Sequence, residues 1–196
     1  MGRPRMDDQR GREIVDAFLG LVAEKGLAET TLDDVAAAVD LRRGTVRHFV
    51  GNRRDLVVTA AERLIDRYEE TFRAAVLDPP DAGATDRMLD FLFTEEDVLA
   101  TEEKAFDALM QPSSDDDRVR GVLASAYERY IAVIDECLAL DTDAPADARR
   151  GVAVSILCLA EMANQLLYLG FPATDRASAG ETARSVAGRL ATVDVT

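Results

Sequence analysis

The sequence has little of the chemistry on which metal sites, disulfide frameworks and hydrolytic centres depend. Its 196 residues include one histidine, two cysteines and no tryptophan. A single histidine excludes a histidine-rich metal site, and two cysteines cannot make the disulfide framework of a small secreted domain. We therefore expect a reduced, cytoplasmic chain that carries neither a metal ion nor a cofactor.

Turn-forming residues and long apolar runs are also scarce. Six prolines and twelve glycines are too few for a turn-rich β-protein or a collagen-like chain. No charge-free run reaches membrane-spanning length, because Glu161 interrupts the longest apolar stretch, residues 152–169. Hydrophobic residues nevertheless make up 47 % of the chain, which is enough for a core. A globular, helix-rich chain outside the membrane is predicted.

The net charge of −14 is distributed unevenly along the chain. Residues 1–56 hold ten basic and ten acidic side chains, so the whole acidic excess lies in residues 57–196. Residues 41–54 carry five arginines and the single histidine and no acidic residue. This asymmetry is typical of a basic contact surface on an otherwise acidic body.

Apolar residues recur at helical spacing along almost the entire chain. The Thr31-Leu32-Asp33-Asp34 segment has the form of a capping box, and Asp40 can adopt the left-handed backbone of a tight turn. No strand pattern or repeat is evident, so the predicted fold is all-α with about nine helices. The predicted helices span residues 8–25, 31–40, 43–50, 54–76, 85–93, 95–110, 116–140, 146–169 and 175–192.

Two short helices joined by a tight turn, the second rich in arginine, predict a helix-turn-helix. Leu41, Val46, Phe49 and Val50 are expected to face inward, which leaves the basic side chains outward to enter a DNA major groove. Arginine suits that surface because its planar fork can donate two hydrogen bonds to guanine or phosphate. The alternative from the pattern alone is a solvated basic helix on a helical bundle.

Residues 12–56 resemble the DNA-binding domain of TetR-type (TetR/AcrR family) transcriptional regulators. The residues that carry the resemblance are Gly26, the Thr30-to-Ala36 run, Gly44-Thr45, Arg53 and Leu56. The resemblance implies an N-terminal three-helix helix-turn-helix domain over residues 1–53. It also implies a helical effector-binding and dimerisation domain over residues 54–196. The function it implies is a repressor that a small-molecule effector releases from a palindromic, double-stranded operator.

The chain departs from the family pattern at the start of the second short helix. Val39-Asp40-Leu41-Arg42 stands where the family usually has Ala-Gly-Val-Ser, and Arg47 takes the place of an aromatic residue. Arg42 therefore replaces an N-cap hydroxyl, which we expect to weaken this helix start by about 1 kcal/mol.

The expected DNA contacts fall into three groups. Arg43 and Arg47 are the best candidates for base edges. Arg3 and Arg5 are expected to form a mobile arm that reaches the minor groove or the backbone. The remaining candidates, on the groove face or by analogy with the family's phosphate contacts, are Thr30, Thr31, Arg42, Gly44, Thr45, His48 and Arg53. Two alternatives stay open: Arg53 as a solvated cap of the next helix, and His48 as a partly buried packing residue.

The second part of the chain is expected to bind the effector and to form a homodimer through helices 146–169 and 175–192. The polar residues of helix 146–169 either line a pocket or hydrogen-bond across the dimer seam. A largely apolar pocket suits a hydrophobic effector, and Glu161 hints at a cationic one. The pocket candidates are Met88, Phe91, Phe106, Met110, Tyr127, Tyr130, Ile134, Cys158, Glu161, Met162 and Gln165. Helix 54–76, shared by both domains, is the expected element of transmission.

Two other classes of function compete with a DNA-binding regulator. An enzyme is disfavoured because the acidic clusters lie at predicted helix starts, where carboxylates favour the helix dipole, and because His48 is the only histidine for a nucleophile. No catalytic residue is therefore predicted. The remaining alternative is a helical protein-interaction module that does not bind DNA.

Overall fold

The structure is a computed structural model that describes residues 3–77, 83–93, 105, 108–109 and 117–192. All regular structure in these residues is helical, which confirms the all-α prediction. The described elements are α1 (Arg3–Lys25), α2 (Leu32–Ala38), α3 (Arg43–Val50), α4 (Arg53–Val76), α5 (Ala84–Phe93), α6 (Asp117–Asp141), α7 (Ala146–Tyr168), α8 (Ala173–Gly188) and a 3₁₀ turn (Arg189–Thr192).

Most helix ends agree with the predicted ones within two residues. The exceptions are α1, which begins at Arg3 rather than near residue 8, and α8, which changes to the 3₁₀ turn at Arg189. The helix predicted over residues 95–110 lies largely outside the described residues. Of that segment, Ala105, Ala108 and Leu109 are helical.

The chain forms two packing units. The first contains residues up to 67 together with 97–125, and the second contains residues 68–96 and 126 onward. α4 and α6 therefore each contribute residues to both units. This division describes packing, and the functional boundary expected near residue 53 stays a prediction.

The first unit is built on α1, α2 and α3, which pack against one another. Its core takes apolar residues from the buried faces of these helices and of α4, such as Phe18, Val35, Val46 and Leu56. Ala105 and Leu109 belong to the same core. Burying this many apolar side chains holds two helices, α2 and α3, that would be too short to form alone.

The second unit packs α8 on α7 and on α5. Gly180 lies where α8 approaches α5, and a Cβ at this position would come within 2.9 Å of the Phe93 Cβ. By length and composition alone, Ala146–Leu167 is apolar enough to cross a membrane, a test that core helices of water-soluble proteins also pass. Of its large apolar side chains, Val154 and Met162 are exposed, so part of the apolar surface of α7 is not covered by its own unit.

The start of α5 is held by a side chain from the far end of α6. Asp141 accepts hydrogen bonds from the backbone nitrogens of Thr85 (2.7 Å) and Gly83 (3.2 Å). These groups belong to the helix N-terminus, which has no intrahelical acceptors for them. Partial burial raises the pKa of Asp141, but the hydrogen bonds from Thr85 and Gly83 outweigh it and hold the pKa below its ordinary value.

We predict that Asp141→Ala lowers the free energy of unfolding by about 1 kcal/mol, because α5 loses its cap. The pKa of Asp141 is lower in the folded chain than in the unfolded one. The contribution of Asp141 to the free energy of unfolding is therefore complete above the ordinary aspartate pKa. It is lost as the pH falls through the pKa that Asp141 has in the folded chain. Urea unfolding at neutral and at acidic pH measures both effects. Asp143→Ala, which removes an exposed carboxylate two residues later, should leave stability unchanged; an equal loss would contradict the capping role.

Candidate nucleic-acid interface and effector site

The two faces of α3 differ sharply in burial. Val46 is completely buried and Val50 is buried, while Leu41 and Phe49 pack partly buried against the same core. The inward orientation predicted for these four residues is confirmed. The other face is exposed at Arg42, Arg43, Gly44, Arg47 and His48, and half-buried at Thr45. His48 is therefore a surface residue that touches the ring of Phe49 edge-on at a centroid distance of 5.5 Å.

The turn between α2 and α3 is closed by backbone hydrogen bonds around Asp40. Asp40 has φ 52°, the left-handed conformation expected for it. The Leu41 nitrogen donates to the Ala36 carbonyl at 2.9 Å, and the Asp40 nitrogen donates to Ala37 at 3.4 Å. This is the Schellman arrangement, with aspartate at the position that usually takes glycine. It sets the direction in which the chain enters α3.

A capping box fixes the start of α2, as the spacing predicts. The Thr31 hydroxyl accepts from the Asp34 nitrogen at 3.2 Å, and the Asp34 carboxylate accepts from the Thr31 nitrogen at 2.8 Å. The Thr31 hydroxyl also donates to this carboxylate at 2.6 Å, and Lys25 pairs with it at 2.9 Å. The hydrogen bond from Thr31, followed by that from Lys25, lowers the pKa of Asp34 to about 2.

The start of α3 has no such cap. Arg42 is its N-cap residue and makes no side-chain hydrogen bond to the helix, in agreement with the weak start expected from its sequence. The next residue, Arg43, pairs with Asp33 at 2.8 Å while 62 % of its side chain stays exposed. An exposed pair of this kind contributes little to stability and can exchange partners at small cost.

Two residues predicted to contact phosphate, Thr30 and Arg53, make hydrogen bonds within the fold. Thr30 is completely buried and its hydroxyl donates to the Gly26 carbonyl at 2.8 Å, so its predicted contact with phosphate is wrong. Arg53 donates Nε to the Thr30 carbonyl at 3.1 Å and Nη2 to the Leu27 carbonyl. It ties the start of α4 to the loop between α1 and α2, while its side chain stays exposed. A phosphate contact by Arg53 would compete with these bonds and stays a prediction.

The prediction of a mobile arm at the N-terminus is also corrected. The backbone of Arg3 and Arg5 forms the first turn of α1, so it is not an extended arm. The side chains of residues 3–8 lie outside the described ones, and their contacts with DNA stay predictions.

Sequence reasoning missed a second cap, at the start of α4. The Asn52 side-chain oxygen accepts from the nitrogens of Arg54 (2.8 Å) and Asp55 (3.2 Å), and Asp55 accepts from the Asn52 nitrogen at 3.0 Å. The Asn-x-x-Asp spacing repeats that of Thr31 and Asp34 and could have revealed it. Gly51, with φ 74°, precedes this cap, and a Cβ there would lie 2.6 Å from the Asp55 carboxylate.

The second unit separates the predicted pocket residues into two groups. Met88 and Ile134 are buried in its core, and Phe91, Tyr127, Tyr130 and Glu161 are half-buried. Cys158, Met162 and Gln165 are exposed on α7, and their assignment to a pocket stays a prediction. Phe106 and Met110 lie outside the described residues.

The half-buried group is an aromatic cluster beside a carboxylate. Tyr68, which sequence reasoning did not single out, lies 5.1 Å from Tyr130 and 6.1 Å from Phe91 between ring centroids. The Tyr127 hydroxyl donates to Glu161 at 3.4 Å. Since Tyr68 occupies the apolar stripe of α4, its neighbours could be recognised only once the helices were packed.

Solved structures with a similar fold include transcription regulators. A TetR transcription regulator from Haloarcula marismortui has a TM-score of 0.77 at 16 % identity, covering 92 % of this chain and 97 % of that one. The chain has the fold of TetR-family transcription regulators. No protein-family model and no curated protein matches its sequence.

Two other neighbours were solved with small molecules. The multidrug binding protein EbrR, complexed with imidazole, has a TM-score of 0.68 at 22 % identity and covers 95 % of this chain and 97 % of its own. A protein described as a transcriptional regulator, from Saccharomonospora viridis and in complex with choline, has a TM-score of 0.73 at 15 % identity, with coverage of 91 % and 95 %.

We predict that Arg53→Lys lowers the free energy of unfolding by about 1–2 kcal/mol. Lysine lacks the planar guanidinium fork with which arginine donates to both carbonyls. The variant therefore loses a charge-assisted hydrogen bond. Guanidinium chloride unfolding checks this. Arg47→Lys, the same change on the exposed face of α3, should leave stability within error; equal losses in both variants would contradict the structural role of Arg53.

Proposed function

We propose that this chain is a sequence-specific DNA-binding transcription regulator, most simply a repressor, that acts in the cytoplasm. The observation that carries the proposal is the orientation of α3, whose apolar side is clamped in the core while its basic side is exposed. A helix presented in this way can lie in a major groove with its first residues against base edges. The fold shared with transcription regulators supports the same function.

The charge around α3 supports binding to nucleic acid. The exposed face carries Arg42, Arg43, Arg47 and His48, and no acidic residue occurs between positions 41 and 54. We assign base-edge contacts to Arg43 and Arg47, whose forks can bind guanine in a bidentate manner. In this proposal phosphate or base acceptors replace Asp33 as the partner of Arg43.

The glycine at position 44 is an argument for a close approach of α3 to DNA. Glycine costs about 0.5–1 kcal/mol in a helix relative to alanine, yet a Cβ on Gly44 would meet no atom within 4 Å. Internal packing therefore gives no reason for glycine at this exposed position. A DNA backbone against the start of α3 would give one.

We further propose that the chain acts as a homodimer through α7 and α8. The uncovered surface of α7 is a stripe at helical spacing that contains Val154, Cys158, Met162 and Gln165. Val154 and Met162 are 38 % and 58 % exposed, and apolar side chains exposed on the same helix face two turns apart favour an interface. A two-fold dimer would present two copies of α3 to the half-sites of a palindrome.

A small-molecule effector completes the proposal. Its site would be the aromatic cluster of the second unit, and the complexes of the two neighbours with choline and imidazole support a ligand site in this fold. An effector shifts a regulator only if it binds one conformation more tightly than the other. α4 and α6 have residues in both units, so they are the proposed elements of transmission.

The test of DNA binding is selection of bound sequences from a random duplex pool, followed by titration of the selected site. We expect a palindromic sequence and an affinity that falls steeply with salt concentration. Arg43→Ala and Arg47→Ala should each weaken binding to the selected site by about 1–3 kcal/mol. Arg120→Ala removes the same charge from an exposed position on α6 and serves as the control. Failure to enrich any sequence, with the dimer intact, would favour a protein-interaction module instead.

Gly44→Ala gives a second test of the same surface. The free energy of unfolding should rise by about 0.5 kcal/mol, because alanine favours the helix, while affinity for the selected site falls. Thermal unfolding and DNA titration of one preparation separate the two effects. Unchanged DNA affinity would remove the argument for close approach.

The dimer is tested by Met162→Glu, which places a charge in the exposed stripe of α7. We expect sedimentation equilibrium to show monomers and the affinity for a palindrome to fall with them. Ala132→Glu introduces the same charge on an exposed face of α6 and should leave the dimer unchanged. A dimer that persists in the Met162 variant would place the interface elsewhere.

A further inference from the structure

We propose that Asp33 is an internal competitor of DNA, whose carboxylate occupies Arg43 in the free protein and so limits how tightly α3 binds its target. The inference rests on the proposed DNA-binding function and concerns the regulation of that same surface. It is carried by an ion pair between the two short helices and by the position of the carboxylate. The basic face of α3 is defined here as the exposed side chains of Arg42, Arg43, Arg47 and His48.

The ion pair joins the starts of α2 and α3. The Arg43 Nη1 donates a hydrogen bond to the Asp33 Oδ2 at 2.8 Å. Arg43 is the first residue of α3, and the first residues of a recognition helix are those that reach base edges. The carboxylate therefore holds the side chain to which the proposed function assigns a base contact.

Arg43 is the one arginine of the basic face that has an ion-pair partner within the described residues. Arg42 makes no capping bond to its helix, and neither Arg42 nor Arg47 pairs with a carboxylate there. Asp33 thus cancels one of the positive charges that this surface offers to DNA. Affinity for nucleic acid depends strongly on such charges, so the cancellation weakens binding.

Capping of α2 does not account for Asp33. The start of this helix is closed by Thr31 and Asp34, which exchange hydrogen bonds, and Lys25 pairs with the Asp34 carboxylate. In the described part of the chain, the side-chain hydrogen bond of Asp33 goes to Arg43 instead. A carboxylate in a first turn also favours the helix dipole, but this effect does not require contact with α3.

The Asp33 carboxylate lies where DNA would approach. It touches a guanidinium on the exposed side of α3, and the first helix of a helix-turn-helix crosses the DNA backbone. Both side chains are largely exposed, Asp33 at 65 % and Arg43 at 62 %, so a DNA acceptor can reach them. An acceptor that takes the Nη1 donor of Arg43 displaces Asp33 and leaves an unpaired carboxylate near the phosphates, which repel it.

The exposure of the pair sets the size of the effect. An exposed ion pair contributes up to about fivefold to an equilibrium constant, and the repulsion between Asp33 and phosphates adds to this. Removing the charge of Asp33 should therefore tighten DNA binding about three- to tenfold. In the unaltered chain, this attenuation lets an effector of modest coupling energy release the DNA.

The test is titration of the selected DNA site with the unaltered chain and with Asp33→Asn, which keeps the side chain's shape without its charge. We expect about three- to tenfold tighter binding at low salt. The gain should shrink at higher salt, because screening weakens both the pair and the repulsion. Asp33→Glu keeps a carboxylate and should bind as the unaltered chain does. Glu62→Gln removes the same charge from an exposed position on α4, and as the control it should change the affinity less than about twofold.

A double-mutant cycle separates competition for Arg43 from simple repulsion of DNA. In the Arg43→Ala chain Asp33 has no guanidinium to occupy, so Asp33→Asn should raise the affinity by a smaller factor. We expect the gain in the unaltered background to exceed the gain in the Arg43→Ala background at least about twofold. Urea unfolding of each variant shows that the compared chains are folded. If Asp33→Asn is unfolded, Asp33→Ser replaces it with a residue that also suits a helix start, and the same expectations apply.

Two results would overturn the inference. One is unchanged or weaker DNA binding by the folded, uncharged variant, and the other is an equal gain in both backgrounds, which would make Asp33 a source of repulsion alone. Either result, obtained while the unaltered chain binds its selected site, rejects this inference and leaves the proposed function intact. If the unaltered chain selects no DNA sequence, the proposed function fails, and the competition inferred from it fails as well.

Discussion

Burial of the apolar side of α3 is the constraint on which the candidate interface depends. Val46 lies completely inside the first unit, and burying a side chain of this size contributes roughly 1.5–3 kcal/mol. Because helix positions are spaced by about 100°, this burial also determines where Arg43 and Arg47 point. An eight-residue helix has no stability of its own, so the core that holds it also orients it. Function and packing are therefore decided by the same contacts.

The polar groups around this helix divide into those used by the fold and those presented outward. Thr31 with Asp34, and Asn52 with Asp55, close the starts of α2 and α4, and Arg53 spans two carbonyls of the preceding loop. These bonds make the frame rigid without using the basic face of α3. Preorganisation of this kind lowers the entropy cost of binding. It also explains why arginines only a few residues apart have different roles.

α7 likewise has side chains that differ in exposure. Met162 and Cys158 are exposed on this helix, and Glu161 and Asn164 are half-buried. In the proposed function, the exposed side chains form the dimer seam and the half-buried ones line the effector site. One helix can then contribute to assembly and to ligand recognition, which is a simple way to link the two.

Local patterns in the sequence were sufficient for most helix ends, the cap at Thr31, the left-handed Asp40 and the inward side of α3, because each depends on residues within one or two turns. Contacts between distant parts of the chain could not be predicted from such local patterns. The burial of Thr30, the fork of Arg53, the capping of α5 by Asp141 and the gathering of Tyr68 with Tyr130 all depend on how helices pack. Sequence spacing determines which face a residue occupies on its own helix, and only tertiary structure decides what that face meets.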